Sequence, residues 1–243
     1  MADITRPKYT RFGVLPLLLA PFPFLLIPDV FLVSILFGLT IAGFIIYSII
    51  FASVLAPPPH LWNAQNIGLL PVSSLIGMII GLPIGALFAD MLSQRQTKLA
   101  NGENNPRSRL PLIILGFLIS PTGLVISGYC LRPEHFSWIG FAVGLAMLGS
   151  GLTSSSNIVT TYCVDSFRTK AGHIGVVINV VKNSIGFGVS YAAIPWYTKQ
   201  GPVSQFGTMV GLLWASYLRV IPLYFYYKQV TMFSERLIAK LGI

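Results

Sequence analysis

Charge is scarce in this sequence. Only 9% of its 243 residues are Asp, Glu, Lys or Arg, just seven of them acidic, against 54% hydrophobic residues and a mean hydropathy of +0.74. A soluble domain carries far more charge than this, and no soluble core could hide so much apolar surface, so the soluble globular class is excluded. Cysteine is equally sparse. Cys130 and Cys163 sit in separate apolar runs with no CxxC or Cys/His cluster around them. That excludes a disulfide framework or a zinc site and makes both small packing residues. His60, His135 and His173 stand alone near expected span ends, and no GxSxG or HExxH string occurs. Without a nucleophile and base, paired carboxylates or histidines at helical spacing, nothing in the chain reads as an enzyme. No metal, haem or nucleotide site is expected, so any transport would be driven by a gradient and not by ATP. A channel is disfavoured by the lack of a TVGYG-like filter, a paired NPA loop or an acidic ring.

What is present is long apolar runs. The formal charge of +9 suggests a polyanionic partner at first sight. The Lys and Arg residues, however, are dispersed between uncharged stretches and form no basic stripe, so no nucleic acid is expected. Runs of about 20 apolar residues can cross the hydrocarbon core as helices, because only bonding within the segment satisfies the backbone there. Six runs qualify, over residues 29–55, 67–92, 110–131, 138–164, 174–196 and 206–227. Residues 12–28 follow three basic residues, but Pro16, Pro21, Pro23 and Pro28 interrupt the helix a signal peptide needs. The expected organisation is a cytoplasmic tail and interfacial segment over 1–28, a six-span unit over 29–227 and a cytoplasmic tail over 228–243. That last tail mixes Phe233, Leu237 and Ile238 with Arg236 and Lys240, which suits either an amphipathic surface helix or a solvated tail.

Positive charge alternates along the chain. Arg6, Lys8 and Arg11, then Arg95, Lys98, Arg107 and Arg109, then Arg168 and Lys170, then Lys228, Arg236 and Lys240 fall on one set of connections. The other set holds only Arg132 and Lys199. Cytoplasmic segments retain Lys and Arg, so the pattern predicts an even number of spans with both termini in the cytoplasm.

Two stripes of polar residues run through this apolar background. Ser150, Ser154, Asn157 and Thr161 recur at three- and four-residue intervals in the fourth run. Asn179, Lys182, Asn183, Gly186 and Ser190 do so in the fifth. Lys182 lies about 12 Å along a helix from Ile174, and a charge at that depth costs at least about 2.5 kcal/mol on insertion scales. It should therefore face a cavity or a partner. Asp29, Asp90 and Asp165 all lie near span ends, which favours cavity lining over a structural tether to a carboxylate. Arg219 is read as an anchor that snorkels to the headgroups. Gly77, Gly81 and Gly85, with Gly140 and Gly144, form small-residue seams of the kind that let helices approach closely, and their expected role is packing.

These residues carry a family resemblance. Residues 149–165 read GSGLTSSSNIVTTYCVD and residues 179–196 read NVVKNSIGFGVSYAAIPW, followed by Gly201. This resembles the C-terminal half of major facilitator superfamily (MFS) transporters, particularly the fungal drug- and polyamine-antiporter-like group. Asn157, Thr161, Asp165, Asn179, Lys182 and Asn183 match position by position. The loop after the second run is similar at Asn101, Gly102, Pro106, Arg109 and Leu110, but Arg107 stands where glutamate is usual. The superfamily loop motif keeps Asp90 and Arg95, with Ala86 and Ser93 at glycine positions.

The resemblance implies an all-α fold of six transmembrane helices, built as two inverted three-helix repeats. It also implies secondary active transport of a small organic solute by alternating access at the plasma membrane. Lys182, Asn179, Asn183, Asn157, Thr161 and Ser154 would line the pathway, and Asp90, Arg95, Arg109 and Asp165 would serve loop and gate. Such a pathway lies between two halves, so the partners expected are the lipid bilayer, a small-molecule substrate, and a second six-helix half or a further copy of the chain. A cationic Lys182 disfavours cations bound beside it. The competing reading is a truncated, non-transporting membrane protein that acts as a packing partner or inactive fragment.

Overall fold

The computed structural model describes residues 19–58, 60–99, 113–156, 160, 163 and 170–225, with the backbone alone for 88–90, 92–99, 113, 115, 155–156 and 220–225. Every regular element among the described residues is helical. In chain order they are a 3-10 turn (Phe22–Leu26), α1 (Pro28–Leu55), α2 (Ala64–Leu69), α3 (Pro71–Leu99), α4 (Ile113–Cys130), a second 3-10 turn (Pro133–His135), α5 (Trp138–Gly151), a π-turn (Leu152–Ser156) and α6 (Ala171–Phe225). Pro28 opens α1, where its missing N–H costs nothing, and Asp29 in the first turn complements the helix dipole. The Ser137 side chain caps α5 by accepting from the Gly140 N–H.

By length and hydropathy, three helical stretches among the described residues could cross a membrane: Pro28–Leu55, Ala64–Leu87 and Ala171–Arg219. Gly116–Cys130 and Trp138–Ser154 are apolar but shorter. With 28 residues, α1 is about 42 Å long. It is apolar on every face and is the central element, burying Val33, Leu36, Ile46, Tyr47 and Ile50 among its neighbours.

The sequence suggests a connection between runs 174–196 and 206–227, whereas α6 stays helical through that region except at Gly201. Gly201 has φ 76° and ψ 170°, a backbone state that glycine adopts without penalty. One such residue turns the chain back on itself. Gln205 donates its side-chain N–H to the Ala193 carbonyl at 2.9 Å, a residue that would be about 18 Å away in a straight helix. The first limb of α6 precedes Gly201 and the second follows it. Gln200 joins them, accepting from the Trp196 indole at 2.9 Å and from the Ser204 hydroxyl at 3.2 Å.

Packing follows from small residues and freed backbone groups. α1 lies along α6, α3 along α5, and α4 against both α5 and α6. Pro121 inside α4 leaves the Phe117 carbonyl without its usual intrahelical donor, and the Trp214 indole of the second limb donates to it at 3.2 Å. In hydrocarbon a polar backbone group must find such a partner. The Tyr47 hydroxyl, buried in α1, bonds to the Ser127 hydroxyl and to the Gly123 carbonyl of α4. Around it Phe141 and Phe206 stack tilted and edge-on, with centroids at 4.7 and 5.3 Å.

Candidate functional site

Lys182 lies in the groove between α1 and the first limb of α6. The approach is close because α1 has no side chain at Gly38. A Cβ there would stand 3.3 Å from the Lys182 Cα and 2.5 Å from the Ile185 Cδ1. A turn further along α6, Gly186 plays the reciprocal part against Ile45. Across this contact the Lys182 ammonium sits over the Phe37 ring, 4.6 Å from its centroid. Both residues are half-buried. No carboxylate is paired with Lys182 among the described residues.

Electrostatics make that arrangement incomplete. A ring face is worth about 0.5–2 kcal/mol to a nearby cation, less than the roughly 2.5 kcal/mol or more that a lysine costs in mid-membrane. Asp29 does not make up the difference. Its carboxylate is buried at the start of α1, about 12 Å of helix from Phe37, and its Oδ1 lacks a hydrogen-bond partner. Among the described residues, no carboxylate of α1 or α6 balances the Lys182 charge.

The flanking polar residues divide. Asn179 and Asn183 are exposed, and the Asn179 amide donates to the Gly175 carbonyl at 2.8 Å. Ser190 is half-buried and donates to the Phe187 carbonyl. Lys182, Asn179 and Asn183 therefore share an accessible strip beside Phe37.

Ser154 is placed elsewhere, in the seam between α3 and the end of α5. It is 1% exposed and donates to the Ser150 carbonyl at 2.7 Å. Gly77, Gly81 and Gly85 of α3 make this seam. A Cβ on Gly81 would stand 2.6 Å from the Ser150 carbonyl oxygen, and one on Gly85 would stand 3.0 Å from the Ser154 Cα. Opposite them α5 widens into a π-turn over Leu152–Ser156. Asn157, Thr161, Arg109 and Asp165 lie outside the described residues, as do residues 1–18 and the tail 226–243. Asp90 and Arg95 fall on the α3 backbone.

Phe37 and Gln205 make contacts that the sequence pattern does not announce. Phe37 looks like any aromatic in an apolar run, and only the fold reveals it as the partner of Lys182. Gln205, fully buried, has a role that depends on the reversal at Gly201.

Among the described residues, a helical bundle with long apolar helices defines a multi-helix integral membrane protein. Comparison with known proteins gives the relationship. The chain is 32% identical to an uncharacterized transporter of Schizosaccharomyces pombe over 55% of its own length and 28% of that relative's. Against the MFS transporter cpaT of Aspergillus oryzae the identity is 27%, covering 69% of this chain and 34% of the other. A citrinin biosynthesis cluster MFS transporter of Monascus ruber is 25% identical over 80% and 38%. The chain is therefore related to fungal MFS-type transporters and matches about a quarter to two fifths of the length of these curated relatives. No family model and no solved structure matches it.

Proposed function

We propose that the chain forms one six-helix half of an MFS-type secondary transporter that moves a small organic solute by alternating access. The observation that carries this reading is Lys182, half-buried in the α1/α6 groove with a ring as its partner and exposed Asn179 and Asn183 beside it. Such a group belongs at a pathway, because lipid gives it no counter-charge. The relatives' description as transporters and efflux pumps supports the same reading. In this proposal six spans cross the plasma membrane, both termini are cytoplasmic, and a second half or copy completes the cavity. The drug- and polyamine-antiporter-like group is the proposed neighbourhood within the superfamily.

The test is flux in sealed vesicles containing the full chain, with an imposed pH gradient and a panel of organic solutes. Wild-type chain should give solute flux that Lys182→Ala abolishes while insertion and folding persist. Absence of flux from correctly inserted wild-type chain, tested also with a co-expressed second half, overturns the reading. Loss of insertion in the variant would instead make Lys182 a structural tether.

A further inference from the structure

We infer that Lys182 is an anion-recognition point, so that the solute taken into the α1/α6 groove carries an acidic oxygen such as a carboxylate. This rests on the transport reading above and adds the charge class of the substrate.

The inference stands on what surrounds the ammonium. Phe37 covers one side of it and offsets only part of the cost of placing a charge there. Asp29 is buried at the start of α1 with an unpartnered Oδ1, and no carboxylate is paired with Lys182 among the described residues. Glu134 belongs to the 3-10 turn before α5, far along the chain from this groove. Asn183, adjacent and exposed, supplies amide N–H groups that can donate to the second oxygen of a carboxylate. Phe37, Ile41 and Ile45 of α1 and Val189 of α6 are only partly covered and form an apolar strip running from the ammonium along the groove. A charged head with an apolar body fits that sequence of surfaces. A cation fits them less well, since it would meet a like charge at the Lys182 ammonium.

The test does not require transport. Lysines of the full chain in lipid nanodiscs are reductively 13C-methylated, and the Lys182 resonance is assigned by its loss in Lys182→Arg. Three probes of one size and different charge are titrated: 2-naphthoate, 2-naphthylmethanol and 2-naphthylmethylammonium. The expected result is a saturable shift of the Lys182 signal with naphthoate, at least tenfold weaker with the alcohol and absent with the ammonium, while Lys170 and Lys199 stay still. Lys182→Arg should keep naphthoate binding by saturation-transfer difference, and Lys182→Ala should lose it.

Equal response to the ammonium probe overturns the inference. Silence toward all three also overturns it and leaves Lys182 as the mate of a carboxylate on another half or copy. A naphthoate shift without vesicle flux would preserve the recognition point and defeat the transport reading. Flux with an unresponsive Lys182 would do the reverse.

Discussion

The Lys182 ammonium and the Phe37 ring meet only because Gly38 lets α1 and α6 close on each other. Replacing the ring by an aliphatic side chain of similar bulk isolates its electrostatic contribution from its packing. Phe37→Leu should destabilise the chain by about 0.5–2 kcal/mol, the range of a cation–ring contact, and Phe37→Tyr should be nearly neutral. The loss should vanish in a Lys182→Met background if it belongs to the pair, as a double-mutant cycle in detergent unfolding would show. Lys182 itself was legible in the sequence, because a lysine deep in an apolar run is costly wherever it lies. Phe37 was not, because one aromatic among many announces no partner until the helices are packed.

Among the elements, α4 and the second limb of α6 show how a backbone defect becomes a contact. Pro121 cannot donate to the Phe117 carbonyl, and the Trp214 indole fills the vacancy from the neighbouring helix. Trp214→Phe keeps the stacking with Phe117, where ring centroids stand 6.2 Å apart, and deletes only the donor. The expected cost is about 0.6–1.7 kcal/mol, the range measured for hydrogen bonds between membrane helices. In a Pro121→Ala background the helix supplies its own N–H and the same substitution should cost less, so equal costs in both backgrounds would refute this account. The apolar runs made the helices readable, since length and hydropathy are local properties. The glycine seam on α3 was readable as packing for the same reason, from its four-residue spacing. The π-turn at Leu152–Ser156 and the helical course around Gly201 were not, because they depend on which helix lies opposite.

For the whole molecule, the alternation of positive charge makes a statement that packing alone cannot. If six spans cross with both termini inside, Lys199 near the Gly201 reversal faces outward, while Arg95 at the end of α3 faces the cytoplasm. Cys130 and Cys163 are free, and Cys163 is buried, so a Cys130→Ser, Cys163→Ser background gives single-cysteine reporters without a lost disulfide. A membrane-impermeant maleimide on intact cells should label Lys199→Cys and spare Arg95→Cys until the cells are permeabilised. Labelling of both from the same side would mean that an even number of crossings separates them, not the three proposed between Arg95 and Lys199. The Lys182 groove would then need a different membrane orientation, and the alternating-access proposal would lose its geometry. Labelling on opposite sides instead fixes the sense of α3 and α6 in the bilayer. It also places the accessible strip at Asn179, Lys182 and Asn183 between the two faces, where a moving solute would have to pass it.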